Sequence, residues 1–135
     1  MAAALLDTNA VSDLMRDHVQ LKKRVASHPE PIVTSAIVVG EIGHGLSRLP
    51  PGKKRADLEV RAQSVLAALS SIEPVTMAIA NRYGDLKAVL EAQGLNLYDN
   101  DLWIAATALT CGNILVTRDQ IFSRVPGLQV EDWSV

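Results

Sequence analysis

The sequence predicts an α/β fold in which helices cover both faces of a mainly parallel sheet of four to five short strands. Short apolar runs at residues 2–6, 32–34 and 113–117 are typical of strands that are buried on both faces. Between these runs, apolar residues recur at i, i+3, i+4 and i+7, which predicts amphipathic helices. Strands that alternate with helices favour a parallel sheet with helices on both sides.

Length and composition indicate a single globular domain that spans residues 1–135. The chain has a mass of 14.5 kDa, and 48% of its residues are apolar. No apolar run reaches membrane-spanning length and no signal-peptide pattern is present. The single cysteine, Cys111, excludes an internal disulfide and a cysteine-rich zinc site, so we expect a cytoplasmic protein. The net charge of −2 neither indicates nor excludes binding to nucleic acid.

The first strand ends at a carboxylate. Asp7 follows the apolar run, at the position where open α/β sheets place their ligands. Thr8 or Asn9 is predicted to cap the helix that follows. A second amphipathic helix is predicted over residues 19–26.

The helix after the second strand carries an acidic residue beside its apolar stripe. Glu41 lies about one turn from both Val38 and Gly45, and a carboxylate there is unusual unless something pairs with it. Three glycines weaken this helix and predict close packing against another backbone. They are Gly40, Gly43 and Gly45.

Two longer helices are predicted in the middle of the chain. The first begins at Lys53, and its predicted buried face extends to Ile72. Its basic start, residues 53–55, could meet a phosphate backbone. The second begins after the cap residue Thr76 and ends at Gly94.

A helix rich in alanine precedes the next strand. Asn100 is predicted to cap it, which puts Asp101 in its first turn at the positive end of the helix dipole. Asp99 is interpreted as a further capping residue, and Gly112 is predicted to end the helix. The strand over residues 113–117 then runs directly into another carboxylate, Asp119.

Four acidic residues are therefore predicted to meet at one edge of the sheet. If the strands are parallel neighbours, Asp7 and Asp119 lie side by side, and the two helices bring Glu41 and Asp101 to the same pocket. Unpaired carboxylates in one pocket repel each other, and a divalent cation relieves that repulsion. Oxygen ligands favour Mg²⁺ or Mn²⁺, which can activate a water molecule for attack on a phosphate. This is the chemistry of a metal-dependent nuclease.

The same segments resemble those of PIN-domain endoribonucleases, and specifically the VapC toxins of bacterial toxin–antitoxin pairs. The resemblance covers nearly the whole chain, and the order and spacing of its pieces make it specific. These pieces are residues 5–9, 35–41 with Gly45, 101–109, 115–122 and 131–133. One departure is Ile121, which stands where the family often has an acidic residue.

The resemblance implies a PIN-like three-layer α/β/α sandwich and an Mg²⁺-dependent ribonuclease. Asp7 and Asp101 would be the principal metal ligands, Glu41 would complete the site, and Asp119 would be the fourth acid, often acting through water. Three residues with hydroxyl or amide side chains would orient these groups. They are Thr8, Asn9 and Thr117.

The resemblance also implies partners. These are a VapB-type antitoxin that covers the active site, a second toxin subunit in a homodimer, and a structured RNA substrate such as transfer or ribosomal RNA. Five basic residues are candidates for contacts to RNA phosphates. They are Arg82, Arg118, Lys53, Lys54 and Arg55.

The sequence also allows two other interpretations. Asp7 could be the phosphoacceptor of a phosphatase-like or receiver-like domain, although Asn9 stands where the phosphatase pattern has a second aspartate. A receiver has a lysine after a late strand, where this chain has Arg118 and Asp119. The chain could also be a non-catalytic interaction domain of the same fold.

Overall fold

The computed structural model describes residues 2–135 and contains five short strands and six α-helices within that range. The strands are β1 (Ala4–Leu6), β2 (Ile32–Ser35), β3 (Ser71–Glu73), β4 (Ile114–Val116) and β5 (Val130–Glu131). The helices are α1 (Thr8–Met15), α2 (Val19–Ser27), α3 (Ala36–Ser47), α4 (Lys53–Ala68), α5 (Met77–Ala92) and α6 (Asp99–Cys111). A 3-10 helix, Gln120–Arg124, lies between β4 and β5.

The strands form one parallel sheet in the order β3-β2-β1-β4-β5. Central β1 pairs with β2 through Leu5 and Val33, and with β4 through Leu5 and Leu115. Right-handed crossovers put α1 to α4 on one face of this sheet and α5 and α6 on the other. In agreement, α1 contacts α3 and α4, while α5 lies against α6. The predicted three-layer α/β/α sandwich is confirmed.

The core lies around β1 and β4, whose side chains are buried on both faces. Such apolar, two-sided burial is what the short runs in the sequence predict for the interior of a parallel sheet. The C-terminal segment closes the core, because Phe122 and Trp133 are each 1% exposed. None of the helices in residues 2–135 is long and apolar enough to cross a membrane.

Several predicted helix ends are confirmed. Thr76 caps α5 by accepting a hydrogen bond from the Ile79 amide at 3.2 Å. Gly112 ends α6 with a φ of 69°, in the left-handed region that glycine adopts without strain. These ends depend on local residues, which explains why the sequence predicts them.

Two predicted caps are wrong. The cap of α1 is Asp7 and not Thr8 or Asn9, because the Asp7 Oδ1 accepts from the Ala10 amide at 2.8 Å. The residue before α6 is Tyr98, which makes no side-chain capping hydrogen bond, and Asn100 lies inside the first turn. Both helices therefore start one or two residues earlier than predicted.

The buried face predicted to extend from α4 to Ile72 is also wrong in its last part. Helix α4 ends at Ala68, and Ile72 belongs to β3, where it is 42% exposed. Strand β3 pairs with β2 through Ile72 and Thr34, and the Ser70 amide donates to the Ile32 carbonyl at 2.9 Å. A short, exposed edge strand has no two-sided apolar pattern. Ile72 therefore fits the helical spacing of the apolar residues before it, although it lies outside the helix.

The strand order reverses at β1, and this position determines where a ligand can bind. The chain moves from β1 to β2 and β3 on one side, and then returns to β4 on the other side. Ligands of open α/β sheets bind beyond the carboxyl ends of the strands at such a switch point. The carboxyl ends of β1 and β4 are followed by Asp7 and Thr117.

Candidate active site

Asp7 is fixed at the carboxyl end of β1. Its amide donates to the Val116 carbonyl of β4 at 3.1 Å, and its carboxylate accepts from the Ala10 amide and from the Thr117 hydroxyl. Asp7 is only 4% exposed. Burial raises the pKa of its carboxyl to about 6, although these two hydrogen bonds act in the opposite direction. A buried acid with a raised pKa is typical of a functional site.

Glu41 reaches the same edge of the sheet from α3. The hydroxyl group of Thr8, which directly follows Asp7, donates a hydrogen bond to Glu41 Oε1 at 2.5 Å. Helix α3 starts at this edge because Ser35, the last residue of β2, caps it by accepting from the Val38 amide. The half-buried Glu41 is thus paired, as its position beside the apolar stripe requires.

Asp101 lies in the helical layer on the opposite face of the sheet, and its carboxylate interacts with the charges of the other three acids. It lies in the first turn of α6, which contacts α3. The pKa of Asp101 is raised to about 6, mainly by burial and then by the negative charges of Glu41, Asp119 and Asp7, in that order. All four acidic residues that the sequence singled out therefore lie close enough to interact.

Asp119 and Asp99 have different surroundings. Asp119 is exposed and caps the 3-10 helix by accepting from the Ile121 amide at 3.1 Å. Its own amide donates to the Thr117 hydroxyl oxygen at 3.0 Å, so Thr117 contacts both strand-end acids. Asp99 points away to α5, where Tyr83 and Lys87 bind its Oδ1.

The family model of the PIN domain matches residues 4–128. A VapC ribonuclease of Sinorhizobium fredii, Y4jK, is 34% identical over 131 residues, which cover 93% of this chain and 94% of that protein. The chain belongs to the VapC group of the PIN-domain family.

Further comparisons agree with this membership. Ribonuclease VapC1 of Haemophilus influenzae is 29% identical and covers 96% of this chain and 97% of its own length. The crystal structure of VapBC2 from Rickettsia felis, bound to a promoter DNA fragment, matches with a TM-score of 0.87 at 29% identity, over 97% of this chain and 98% of that one. The PIN match favours the nuclease interpretation over the phosphatase-like and receiver-like alternatives.

The four carboxylates of this PIN domain have the chemistry of a site for a hard cation. Nucleases of the family generally depend on a divalent metal ion, and oxygen-only ligands suit such an ion. Within residues 2–135, however, no group of three or more acidic, histidine or cysteine side chains has a geometry that could hold a metal ion. The Glu41 and Asp7 carboxylates are turned toward Thr8, Ala10 and Thr117 instead. Side chains of this set would have to rotate before they could hold an ion together.

Of the other predicted site residues, the two threonines contact the acids, whereas Asn9 and Arg118 are exposed. Thr8 and Thr117 contact Glu41 and Asp7, whereas the Asn9 side chain is exposed on α1. Arg118 makes an ion pair with Asp13 at 3.3 Å and partly offsets the burial that raises the pKa of Asp7.

The basic residues of α4 and α5 are not equivalent. Lys54 lines a cleft of about 270 Å³ together with Thr8 and Glu41. Arg55 pairs with Glu59 at 2.9 Å and donates to the Leu49 carbonyl, so it holds the start of its own helix. Lys53 and Arg82 are exposed on α4 and α5. Among these, Lys54 is the one that lines a cleft beside the acids.

A second cleft beside the acids contains residues that the sequence analysis missed. It measures about 530 Å³ and is lined by Thr8 and Glu41 and by the polar side chains of His44, Arg48 and Asn100. The spacing of Glu41, His44 and Arg48 at i, i+3 and i+7 puts them on one face of α3 and could have revealed this cleft.

The glycines of α3 are not in close contact with another backbone, so that prediction is wrong. A Cβ atom added at any of the three would meet nothing within 4 Å. Gly40 and Gly45 instead line the cleft, whereas Gly43 does not. The absence of side chains at Gly40 and Gly45 leaves space beside Glu41.

Proposed function

We propose that this PIN domain, spanning residues 1–135, is an Mg²⁺-dependent endoribonuclease that acts as the toxin of a VapBC-type toxin–antitoxin pair. The main support is the convergence of Asp7, Glu41, Asp101 and Asp119 from four separate segments at the carboxyl edge of the sheet. The VapC names of its relatives give the reaction class. Mutual repulsion of neighbouring carboxylates favours the binding of a divalent cation.

In this proposal Asp7 and Asp101 hold the metal ion, Glu41 completes the site, and Asp119 acts through water. Mg²⁺ fits the all-oxygen set, and Mn²⁺ can replace it. When bound, the ion supplies Lewis-acid stabilisation of the phosphate and lowers the pKa of a bound water molecule. The protein contributes by holding its carboxylates from opposite layers at one edge of the sheet.

The hydroxyl groups around the acids set their orientation. Thr8 donates to Glu41, and Thr117 donates to Asp7 while it accepts from the Asp119 amide. Partners that orient metal ligands typically contribute about 10–100-fold to affinity or activity. Asn9 is exposed on α1 and lies in the lining of the cleft that also contains Thr8, Glu41 and Lys54, beside the acids that it would help to orient.

The proposed substrate is a structured RNA such as transfer or ribosomal RNA in the cytoplasm. The exposed basic residues Lys53, Lys54 and Arg82 would contact RNA phosphates, and Arg118 would do so after release from Asp13. The proposed protein partners are a VapB-type antitoxin and a second toxin subunit. The support is that related chains crystallise in VapBC complexes, such as those of Rickettsia felis and Haemophilus influenzae.

Cleavage of a labelled transfer RNA by the purified protein, with and without Mg²⁺, tests the reaction. We expect cleavage that EDTA stops and that is lost in Asp7→Asn and Asp101→Asn. The matched control is Asp85→Asn, which changes an exposed aspartate on α5. If both site variants fold and cleave as well as the parent, the acids do not form the active site.

Metal binding can be measured independently of cleavage. Calorimetric titration with Mn²⁺ should show binding to the parent and to Asp85→Asn, and much weaker binding to Asp101→Asn. Equal affinity in all three proteins would contradict the metal site.

If a short reading frame that encodes a VapB-type protein adjoins this gene, co-expression with it tests the partners. We expect co-purification of its product and loss of RNA cleavage in the complex. Light scattering of the toxin alone should give twice the 14.5 kDa chain mass. A monomer that binds no neighbouring gene product would contradict this part of the proposal.

A further inference from the structure

A cleft on the surface of α3 adjoins the acidic site and has the properties of an RNA-binding pocket. Its volume is about 530 Å³, within the range of about 300–1,000 Å³ that is usual for small-ligand sites. Thr8 and Glu41 form one wall, so the cleft opens directly beside the proposed reaction centre. A group bound there would be next to the phosphate that is cleaved.

Three polar side chains of this cleft, those of His44, Arg48 and Asn100, make no side-chain hydrogen bond or ion pair within residues 2–135, whereas Thr8 and Glu41 bond to each other. None of the ion pairs within residues 2–135 includes Arg48, which is exposed at the C-terminal end of α3. The exposed side chains of His44 and Asn100 face the same cleft from α3 and α6. A cation, an imidazole and an amide without partners suit a phosphate and the edge of a base.

The floor of the cleft is made of small residues. Ala36, Gly40 and Gly45 line it, and a Cβ atom at either glycine would meet no atom within 4 Å. A flat base can therefore approach the α3 backbone. Proteins that recognise single-stranded RNA stack splayed bases on aromatic rings or on arginine guanidinium planes, and His44 and Arg48 supply both types of group beside this floor.

The composition of the cleft favours RNA over a protein segment. Of the cleft residues, only Ile37 has a large apolar side chain. A second groove of about 540 Å³, between α2 and α4, is different because Leu14, Val25, Val65 and Leu69 line it. A protein segment would bury apolar side chains in the second type of groove, whereas a charged chain is suited to the first.

We propose that the cleft between α3 and the start of α6 binds the nucleotide next to the cleaved phosphate, with Arg48 contacting the RNA backbone. The proposal extends the ribonuclease function proposed above, since it names the side chains that hold the substrate. Arg48 and His44 are positioning residues for the RNA. They do not bind the metal ion.

The first test changes the charge of the cleft. The probe is a fluorescein-labelled RNA stem-loop, and its affinity is measured by anisotropy in Ca²⁺, so that binding is read without relying on cleavage. We expect Arg48→Gln to weaken binding about tenfold, as the loss of one charge-assisted contact does. The slope of log affinity against log salt should decrease by about 0.7, while Arg48→Lys restores it. The control is Arg124→Gln, which changes an exposed arginine of the 3-10 helix that makes no ion pair within residues 2–135.

The second test fills the cleft without unfolding the protein. Gly40→Leu puts a side chain into the cleft, whereas Gly43→Leu puts the same side chain on the same helix outside it. Because leucine is a better helix former than glycine, neither variant should lose stability. We expect Gly40→Leu to raise the KM for RNA about tenfold, with kcat changed less than twofold, and Gly43→Leu to match the parent.

Several results would overturn the proposal. Arg48→Gln could behave like Arg124→Gln in RNA affinity, or Gly40→Leu like Gly43→Leu. If Arg48→Gln or Gly40→Leu loses antitoxin binding while its RNA affinity is unchanged, the cleft binds the antitoxin and not RNA. A change of oligomeric mass in Gly40→Leu with unchanged RNA affinity would assign it to a subunit contact. If RNA binding follows the proposal but no variant or parent cleaves RNA, the ribonuclease function fails and the binding cleft stands.

Discussion

Replacing Asp7 by asparagine should stabilise the metal-free protein at neutral pH. The pKa of Asp7 rises from 3.8 to about 6 on folding, mainly because of burial, so ionising this group opposes folding. A group with a raised pKa contributes stability that is complete below the unfolded pKa and is lost as the pH rises through the folded pKa. For Asp7 the loss falls between about pH 4 and pH 6 and amounts to about 3 kcal/mol above pH 7.

The substitution removes this penalty at a small cost. Asparagine caps a helix about as well as aspartate, so the hydrogen bond from the Ala10 amide is retained. The bond from the Thr117 hydroxyl is weakened, which costs about 1 kcal/mol. Asp7→Asn should therefore be about 2 kcal/mol more stable than the parent at pH 7, which raises Tm by about 6 °C. At pH 4 this gain should disappear.

Urea unfolding in EDTA, followed by tryptophan fluorescence from pH 4 to pH 8, measures this difference. Asp85→Asn, an exposed replacement of the same kind, should follow the parent at every pH. Adding Mg²⁺ should stabilise the parent more than Asp7→Asn, because bound metal stabilises the folded state. If Asp7→Asn is less stable than the parent at pH 7, or if its gain does not change with pH, the reasoning from burial is wrong.

Three further predictions concern single residues. In calorimetry, metal-free Asp101→Asn should melt at the same temperature as the parent or about 3 °C higher, because the substitution removes a half-exposed charge that the other acids repel. A large decrease in melting temperature would mean that Asp101 mainly caps α6. Thr8→Val should lower kcat for RNA about 10–100-fold while Thr8→Ser retains it, since the hydroxyl orients Glu41; equal rates would exclude that role. Gly112→Ala should destabilise the protein by about 1 kcal/mol in urea unfolding, whereas Gly43→Ala should not, because only Gly112 has a φ of 69°.

Much of the fold could be predicted because the relevant signals are local. The apolar runs that become β1, β2 and β4, and the helical periodicity between them, reflect burial that each segment has by itself. The edge strand β3 was missed because it is exposed and exists only through its pairing with β2. The caps of α1 and α6 were misplaced because aspartate, threonine and asparagine at neighbouring positions are all plausible caps.

The acidic residues themselves could also be found in the sequence, but their neighbours could not. Asp7 and Asp119 follow apolar runs, and Glu41 and Asp101 lie at the edges of helical stripes. The Thr8–Glu41 hydrogen bond joins residues 33 positions apart, so no local pattern shows it.

The sequence by itself thus determined the α/β class, the PIN resemblance and the identity of four candidate acids. Only the tertiary structure decided that β4 lies beside β1 and that α3 contacts α6. As a result, the charges of the other three acids raise the pKa of Asp101. The physical reason is that side-chain periodicity records the burial of each segment. Strand order and crossover side, which set the distances between segments, come from packing the whole chain.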